Sequence, residues 1–433
     1  MALTDSGNHP PAASGTYDYN ATPNVWATLA VGASDTDPVF GESYRRLTNI
    51  GANVSENQNY SYHNINADGT LAFHTAPGGS FDIINVATGA VVHSGQPSGP
   101  TGENRWHMTD RDKYFYFNGA DLVRRNLAAQ NNTTMHTFPA TLAGMGGTAN
   151  YSDRESRYFL VNYSGTVKLW DSQTNTIYGN DFAMLNWVGI APSGNTIVTQ
   201  AGGGSEPNVI HSSFAVNHGA QTIAASPNQY WGIQGDHAAL ISPTDGNDYA
   251  ILFDNNTSGS VYRTNLATNN AGKTVAQQLA AATLIIPTTF AVADGGFSAV
   301  SVGAKRDWCL FSSMDGTDDF NEAVGAWAAL KKEIMAVNVL TGALRRLAHH
   351  RSRGQPLQHQ CQPRASCSPT GDRVLWMSNQ NDSTPASYAD MYVMDNPLGA
   401  EEEPPPPPVG FALDDSGYSL TEPQTNPTMI GVW

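Results

Sequence analysis

The stretch Gln362–Asn379, QPRASCSPTGDRVLWMSN, followed after a polar gap by Asp390–Asp395, DMYVMD, decides how the rest of the chain is read. It predicts a short strand, a tight Ser368-Pro369-Thr370-Gly371 turn, an apolar strand, a polar loop and a third strand. Pro369 presets φ for the turn, and Gly371 supplies a backbone conformation that other residues resist. Val374, Leu375 and Trp376 suit a strand buried on both faces. A single unit of this kind cannot cover its own faces, so the pattern has to recur.

It does recur. Related turns stand at Asn66-Ala67-Asp68-Gly69, Thr109-Asp110-Arg111-Asp112, Ser152-Asp153-Arg154-Glu155, Ala191-Pro192-Ser193-Gly194 and Ser242-Pro243-Thr244-Asp245-Gly246, each ahead of an apolar strand. A degenerate copy lies at Lys305-Arg306-Asp307, before WCLFSS. With Ser368 these make seven copies spaced by about 40 to 65 residues, the period of four-stranded propeller blades. A second signal marks the hairpin between a blade's third and fourth strands. It reads Asn85–Ala90, Val216–Ala220 and Asn338–Ala343, with looser copies at Asn126–Ala128, Asp171–Asn175 and Asn265–Thr268.

The last unit is one strand short, while the start of the chain has one to spare. Tyr44-Arg45-Arg46-Leu47-Thr48 matches Leu344-Arg345-Arg346-Leu347-Ala348, the expected fourth strand of the sixth unit. Residues 43–50 are therefore predicted to pair with Asp390–Asp395 and close the ring, which removes open sheet edges. The expected fold is an all-β, seven-bladed β-propeller closed by an N-terminal strand, with extended N- and C-terminal arms. Its expected divisions are an arm (1–38), the propeller (39–400), an acidic polyproline spacer (401–408) and a docking tail (409–433).

Charged residues are only 14% of the 433, and the formal charge is −16. That balance argues against nucleic acid, whose phosphates call for Lys and Arg. It also opposes a polyanionic ligand globally, although a local basic pocket can outweigh the overall field. MALTDSGNHPPAASG has no basic, apolar signal-peptide pattern, and no apolar run of about 18 residues predicts a membrane span. An extracellular or virion-associated setting is the expectation. Cys309, Cys361 and Cys367 do not make a disulfide framework, and Cys309 and Cys367 are expected to point into blades. After Glu401-Glu402-Glu403 comes Pro404–Pro408, an extended spacer. The tail beyond it carries Phe411, Tyr418, Met429, Ile430 and Trp433, so it is expected either to pack on the protein's own surface or to dock to a larger assembly.

Chemistry is expected where first strands enter the central channel. Counted back from the turns, Tyr62, Arg105, Trp187 and Arg364 fall at similar heights, with Asp236 and His237 a step higher. Two guanidinium groups, an imidazole and aromatic faces suit a sugar ring that carries a carboxylate. The bland alternative is that these residues satisfy one another in a packed channel. The stretch His349–Cys361 enters the same mouth. Its His349, His350, His359 and Cys361 are candidate ligands for a structural zinc, although their spacing matches no compact zinc motif. His218 lies in a hairpin on the opposite face and is set aside. The insertion Met314–Lys332 is expected to form a rim or lid over the mouth.

Four segments carry a family resemblance: DPVFGESYRRLTN (37–49), ENRWHMTDRDKYFYFNGADLVRRN (103–126), EIMAVNVLTGALRRLAHH (333–350) and the stretch at Gln362. They resemble a bacterial seven-bladed propeller group that contains ulvan lyases and, more remotely, oligogalacturonate lyases. The likeness spans most of residues 37–397 as blade pattern; the group's catalytic motif is not matched. It implies cleavage of uronic-acid polysaccharide by β-elimination: a cation neutralises the carboxylate, His or Tyr takes the C5 proton, and an acid protonates the leaving oxygen. By chemistry and position, Arg105 and Arg364 would neutralise the carboxylate and His237 or Tyr62 would be the base. Trp187, Asp236 and His359 would contact substrate. The competing reading is a non-catalytic propeller anchored by its arms to a virion or surface appendage.

Overall fold

Three of the predicted turns are closed by their own polar side chains. Asn66 Oδ1 accepts the N–H groups of Thr70 and Leu71, both at 2.9 Å. Asp153 Oδ1 does the same for Arg157 and Tyr158 (2.8 and 2.9 Å), and Ser368 Oγ for Asp372 and Arg373 (3.0 and 3.2 Å). Gly371 takes φ +76°, as its turn requires. The second signal works the same way. Asn85 Oδ1 accepts from Ala87 and Thr88, Asn338 Oδ1 from Leu340 and Thr341, and Asp171 Oδ1 from Gln173 and Thr174. Such side-chain-closed turns reverse the chain wherever an Asx residue follows an apolar strand.

The structure, a computed structural model, describes residues 29–49, 63–75, 81–99, 104–144, 150–183, 187–201, 210–230, 238–253, 260–288, 292–315, 328–352, 363–378 and 390–399. Between the turns the strands assemble into seven antiparallel blades. Blade 1 is Leu71–Thr75, Phe81–Asn85 and Val91–His93, with Ile65 bridged to Ala72 on its inner edge. Blade 2 is Arg105–Trp106, Lys113–Asn118, Asp121–Asn126 and Asn131–Thr137. Blade 3 begins with the Ser152–Phe159 bridge and continues through Tyr158–Tyr163 and Thr166–Asp171 to a divided outer strand, Thr176–Ile177 and Phe182–Ala183. Blade 4 holds Val188–Ile190, Thr196–Ala201 and Ile210–Asn217, with Thr222–Ile223 and Asn228–Tyr230 outside them. Blade 5 is Ala239–Ile241, Tyr249–Phe253, Val261–Asn265 and Thr283–Ile286; its short helix, Val275–Ala281, starts in a capping box made by Thr274 and Gln277. Blade 6 is Val292–Ala299, Trp308–Asp315, Glu333–Asn338 and Leu344–His349.

Blade 7 closes the ring. Ser366–Cys367, Arg373–Ser378 and Asp390–Asp395 are joined by Ser43–Arg46, in the register Tyr44↔Met394, Arg45↔Val393, Arg46↔Tyr392. Arg46 forms a buried ion pair with Asp390 at 2.6 Å, and Thr48 Oγ1 donates to the same carboxylate at 3.1 Å. The sheet extends one strand further than expected. Ser34–Thr36, assigned from sequence to the N-terminal arm, pairs with Ser43–Arg45 as a fifth strand. The seven-bladed, all-β expectation holds. Contacts separate the chain after Gly399, and residues 400–433, including the spacer and tail, lie outside the described residues.

Aromatic side chains fill the seams between blades. Phe115, Phe159 and Trp170 pack blade 2 on blade 3, and Phe253, Phe297 and Phe311 pack blade 5 on blade 6. Each such side chain contributes about 1.5–3 kcal/mol by leaving water. Cys309 and Cys367 are buried as expected, and burial pushes both thiols up. Among the described residues, no helix is long and apolar enough to cross a membrane.

Candidate functional site

The first strand of each blade lies nearest the axis, and neighbouring first strands touch: that of blade 6 packs on those of blades 5 and 7. Side chains continue the contact around the ring. Asn64 Nδ2 lies 3.5 Å from Ser366 Oγ, the Trp106 indole donates to Asn64 O at 3.0 Å, and the Arg105 guanidinium lies over Tyr151 at 5.2 Å. At one end of the molecule the turns after first and third strands are described. Every internal stretch outside the described residues joins strand ends at the other end, where the first strands begin. Tyr62, Asp236, His237, His359 and Cys361 belong to those stretches and so lie outside the described residues. Most of the expected rim, residues 316–327, does too.

Strand register corrects one expected height. Arg105 stands opposite Phe115, at the level of Gly189 opposite Val198 and Ser366 opposite Leu375. Trp187 and Arg364 precede that level by two residues, so Arg105 sits deeper in the channel than they do. The cause is the blade 2 turn. It begins at His107, whose Nδ1 accepts the N–H groups of Thr109 and Asp110 (3.3 and 3.2 Å), so counting back from Thr109 stops short of the matching height.

Each described candidate has a defined setting. Arg105 is 1% exposed, and its Nη1 donates to Asn104 O at 3.0 Å. Trp187 is 2% exposed; its carbonyl accepts from Gln200 N and Thr199 Oγ1, while its indole N–H has no hydrogen-bond partner among the described residues. A buried donor without a partner costs about 1–3 kcal/mol, so it marks a place where a ligand group would be welcome. The Trp187 ring lies 6.0 Å from His211, which pairs across the sheet with Gln200. Nothing in the sequence singles out His211, because HSSF carries no motif and only the register brings it to Trp187.

Arg364 adopts a left-handed backbone, φ +41°, and is buried at 8% exposure. Lys332 (φ +56°) and Arg351 (φ +54°) share both features. Hydrogen bonds link the three stretches: His350 N to Lys332 O (3.1 Å), Ser352 Oγ to Met377 O (2.8 Å) and Met377 N to Pro363 O (2.8 Å). Left-handed non-glycine residues cost roughly 1–3 kcal/mol and collect at functional sites. Here three basic ones meet at the seam of blades 6 and 7. Glu333 pairs with Arg346 nearby, and Asp37 Oδ2 lies 3.8 Å from His349 Nδ1. That imidazole holds the Asp37 carboxyl below its usual value against the opposing effect of burial.

Of the four expected zinc ligands, His359 and Cys361 lie outside the described residues, and His350 is engaged elsewhere. His350 Nδ1 accepts from Ser352 N at 2.9 Å, so Nε2 carries the proton and donates to Ser313 O at 2.9 Å. Both ring nitrogens are thereby committed. His349 stacks on Phe40, with ring centroids 4.9 Å apart. Among the described residues no group of three or more His, Cys, Asp or Glu side chains is placed to hold a metal ion.

No protein-family model matches the chain, and no curated protein sequence does. Solved structures similar in fold include an oligogalacturonate lyase in complex with manganese, at TM-score 0.52 and 13% identity over 84% of this chain and 96% of that one. An oligogalacturonate lyase from Vibrio parahaemolyticus matches at TM-score 0.53 and 13% identity, with the same coverage. These likenesses support the resemblance to oligogalacturonate lyases at the level of fold; they lend the ulvan-lyase resemblance no support.

Proposed function

We propose that the protein recognises a uronic-acid glycan at the channel end where the first strands begin, and that its activity there is lyase-like. The observation that carries this is the basic set Lys332, Arg351 and Arg364, with Arg105 deeper in the ring, in a chain of formal charge −16. A local concentration of buried cations against an acidic background is what a carboxylate ligand needs. Arg364 and Arg105 would hold the uronate carboxylate. Neutralising it acidifies the C5 proton, which His237 or Tyr62 would remove, and the departing glycosidic oxygen would take a proton from an acid. Trp187 would offer its indole N–H and ring to a neighbouring sugar, with Asp236 and His359 as further contacts. No step is assigned to a metal.

Incubation with oligogalacturonate, ulvan and alginate tests the activity. The expected result is rising ultraviolet absorbance from an unsaturated uronate on oligogalacturonate. The double variant Arg105→Met, Arg364→Gly should abolish it. Met keeps the bulk of the buried stem while removing the guanidinium, and Gly accepts the left-handed backbone. No absorbance change on any of the three polymers removes the lyase reading; no calorimetric binding of them removes the glycan reading as well.

A further inference from the structure

Blade 3 departs from regular pairing at its outer strand. Thr176–Ile177 pairs with the end of the third strand (Trp170↔Ile177) and Phe182–Ala183 with its beginning (Val167↔Phe182), so residues 178–181 stand opposite only Lys168 and Leu169. The surplus backbone crosses to blade 4. Gly179 N donates to Gln221 O at 2.8 Å, Ile223 N donates to Gly179 O at 2.9 Å, and Asn180, left-handed at φ +63°, donates its side-chain amide to Ile223 O at 2.7 Å. The bulge walls a cleft of about 190 Å³ between the two blades. Phe182, half-buried, forms one wall and stacks on Phe214 (4.7 Å, 12° between planes); Asn180, Asp181, Ile223, Ala224 and Ala225 complete the lining.

The chemistry of the lining selects among ligands. Asp181 is paired with Lys168, so the cleft is electrically balanced. An anion would meet the carboxylate, and a cation would have to compete with Lys168. Asn180 and Asp181, both exposed, offer hydrogen-bond acceptors that a purely apolar group would leave unused. A neutral polyhydroxylated ring satisfies every feature: its hydroxyls donate to those acceptors, and its C–H face lies on Phe182. We propose that this cleft is a neutral-sugar subsite. It adds to the acidic-glycan reading and rests on it for the polymer that carries the sugar. Phe182 lies five positions before Trp187, and five extended residues span at most about 17 Å, so one chain of sugars can reach both places.

Calorimetric titration with tetrasaccharides of galactose, rhamnose, xylose and glucose, alongside oligogalacturonate, tests it. At least one neutral tetrasaccharide should bind, and Phe182→Ala should weaken it tenfold or more. Ala225→Trp, which plugs the cleft from an exposed position without removing any contact, should do the same and guards against a folding defect in the first variant. Arg105→Met, Arg364→Gly should leave neutral-sugar binding intact while abolishing that of oligogalacturonate. If oligogalacturonate binds but no neutral tetrasaccharide does, or if Ala225→Trp changes nothing, the subsite is overturned and the channel reading survives. Neutral-sugar binding lost in both cleft variants, without any binding of oligogalacturonate, would instead uphold the subsite and overturn the channel reading.

Discussion

Buried His63 links fold to pH at the level of a single residue. Its Nδ1 lies 2.7 Å from Cys367 O, which can only accept, so Nδ1 carries the proton and Nε2 accepts from Ser301 Oγ at 2.9 Å. Burial, partly opposed by the Cys367 contact, lowers its pKa from 6.5 to about 4. The unfolded chain therefore takes up a proton below pH 6.5 that the fold refuses until about pH 4. His63's contribution is complete above the higher value and lost as pH falls through that window. Between pH 7 and 5 the loss should be about 2 kcal/mol. Urea unfolding at the two pH values reads it, and His63→Gln, which retains a donor and an acceptor but does not titrate, should lose correspondingly less. Equal losses in both proteins would show that His63 is not responsible. Residues of this kind are only partly legible in the sequence. Arg105 and Trp187 can be found because they precede recognisable turns. The left-handed backbones of Lys332, Arg351 and Arg364 cannot, since no glycine or asparagine announces them. The commitment of both His350 nitrogens depends on the adjacent Ser352 and on Ser313, which only the folded sheet brings to the ring.

The turns are the most legible elements, because each is specified by atoms within a few residues. Blade 3's bulge is not, as it depends on what blade 4 offers the surplus backbone. The distinction between local and distant causes predicts different costs for the same substitution. Gly89 and Gly119 both lie in the left-handed region, at φ +71° and +60°. A Cβ on Gly119 meets nothing within 4 Å, whereas one on Gly89 would come within 2.2 Å of Leu47 O and 2.6 Å of Val31 Cγ1. Gly119→Ala should therefore cost only the backbone strain, about 1 kcal/mol. Gly89→Ala adds a clash with the backbone of the closing strand's exit and should cost at least twice that. Equilibrium unfolding of the two variants checks the ratio; equal costs would mean that blade 1 moves aside freely. Asn85→Ala, which removes the acceptor closing the same hairpin, should fall nearer the smaller value, at about 1 kcal/mol.

For the whole molecule, the decisive question is how a chain with an incomplete last blade closes, and the repeat of Tyr44-Arg45-Arg46-Leu47 against Leu344-Arg345-Arg346-Leu347 answers it from sequence alone. The clasp reaches further than pattern can show. Asp37 Oδ2 accepts from His349 N at 3.2 Å in blade 6, Arg45 donates to Val86 O at 3.0 Å in blade 1, and Tyr44 packs edge-on against Trp376 and Tyr392 in blade 7. Breaking the buried Arg46–Asp390 pair from one side alone should cost about 3–5 kcal/mol, because the remaining charge stays buried. Removing residues 1–50 takes away the whole strand and uncovers the third strand of blade 7 as an open edge, together with Trp376 and Tyr392. The expected product aggregates, visible as scattering on refolding from urea. Adding a peptide of residues 29–49 during refolding should restore a monomeric protein, since it supplies the strand, the Asp37 contact and the buried pair in one piece. The same peptide carrying Arg46→Glu should fail, because it sets a second carboxylate against Asp390. A deletion product that folds cooperatively and stays monomeric without the peptide would show that the other six blades hold the ring by themselves and that the clasp is dispensable.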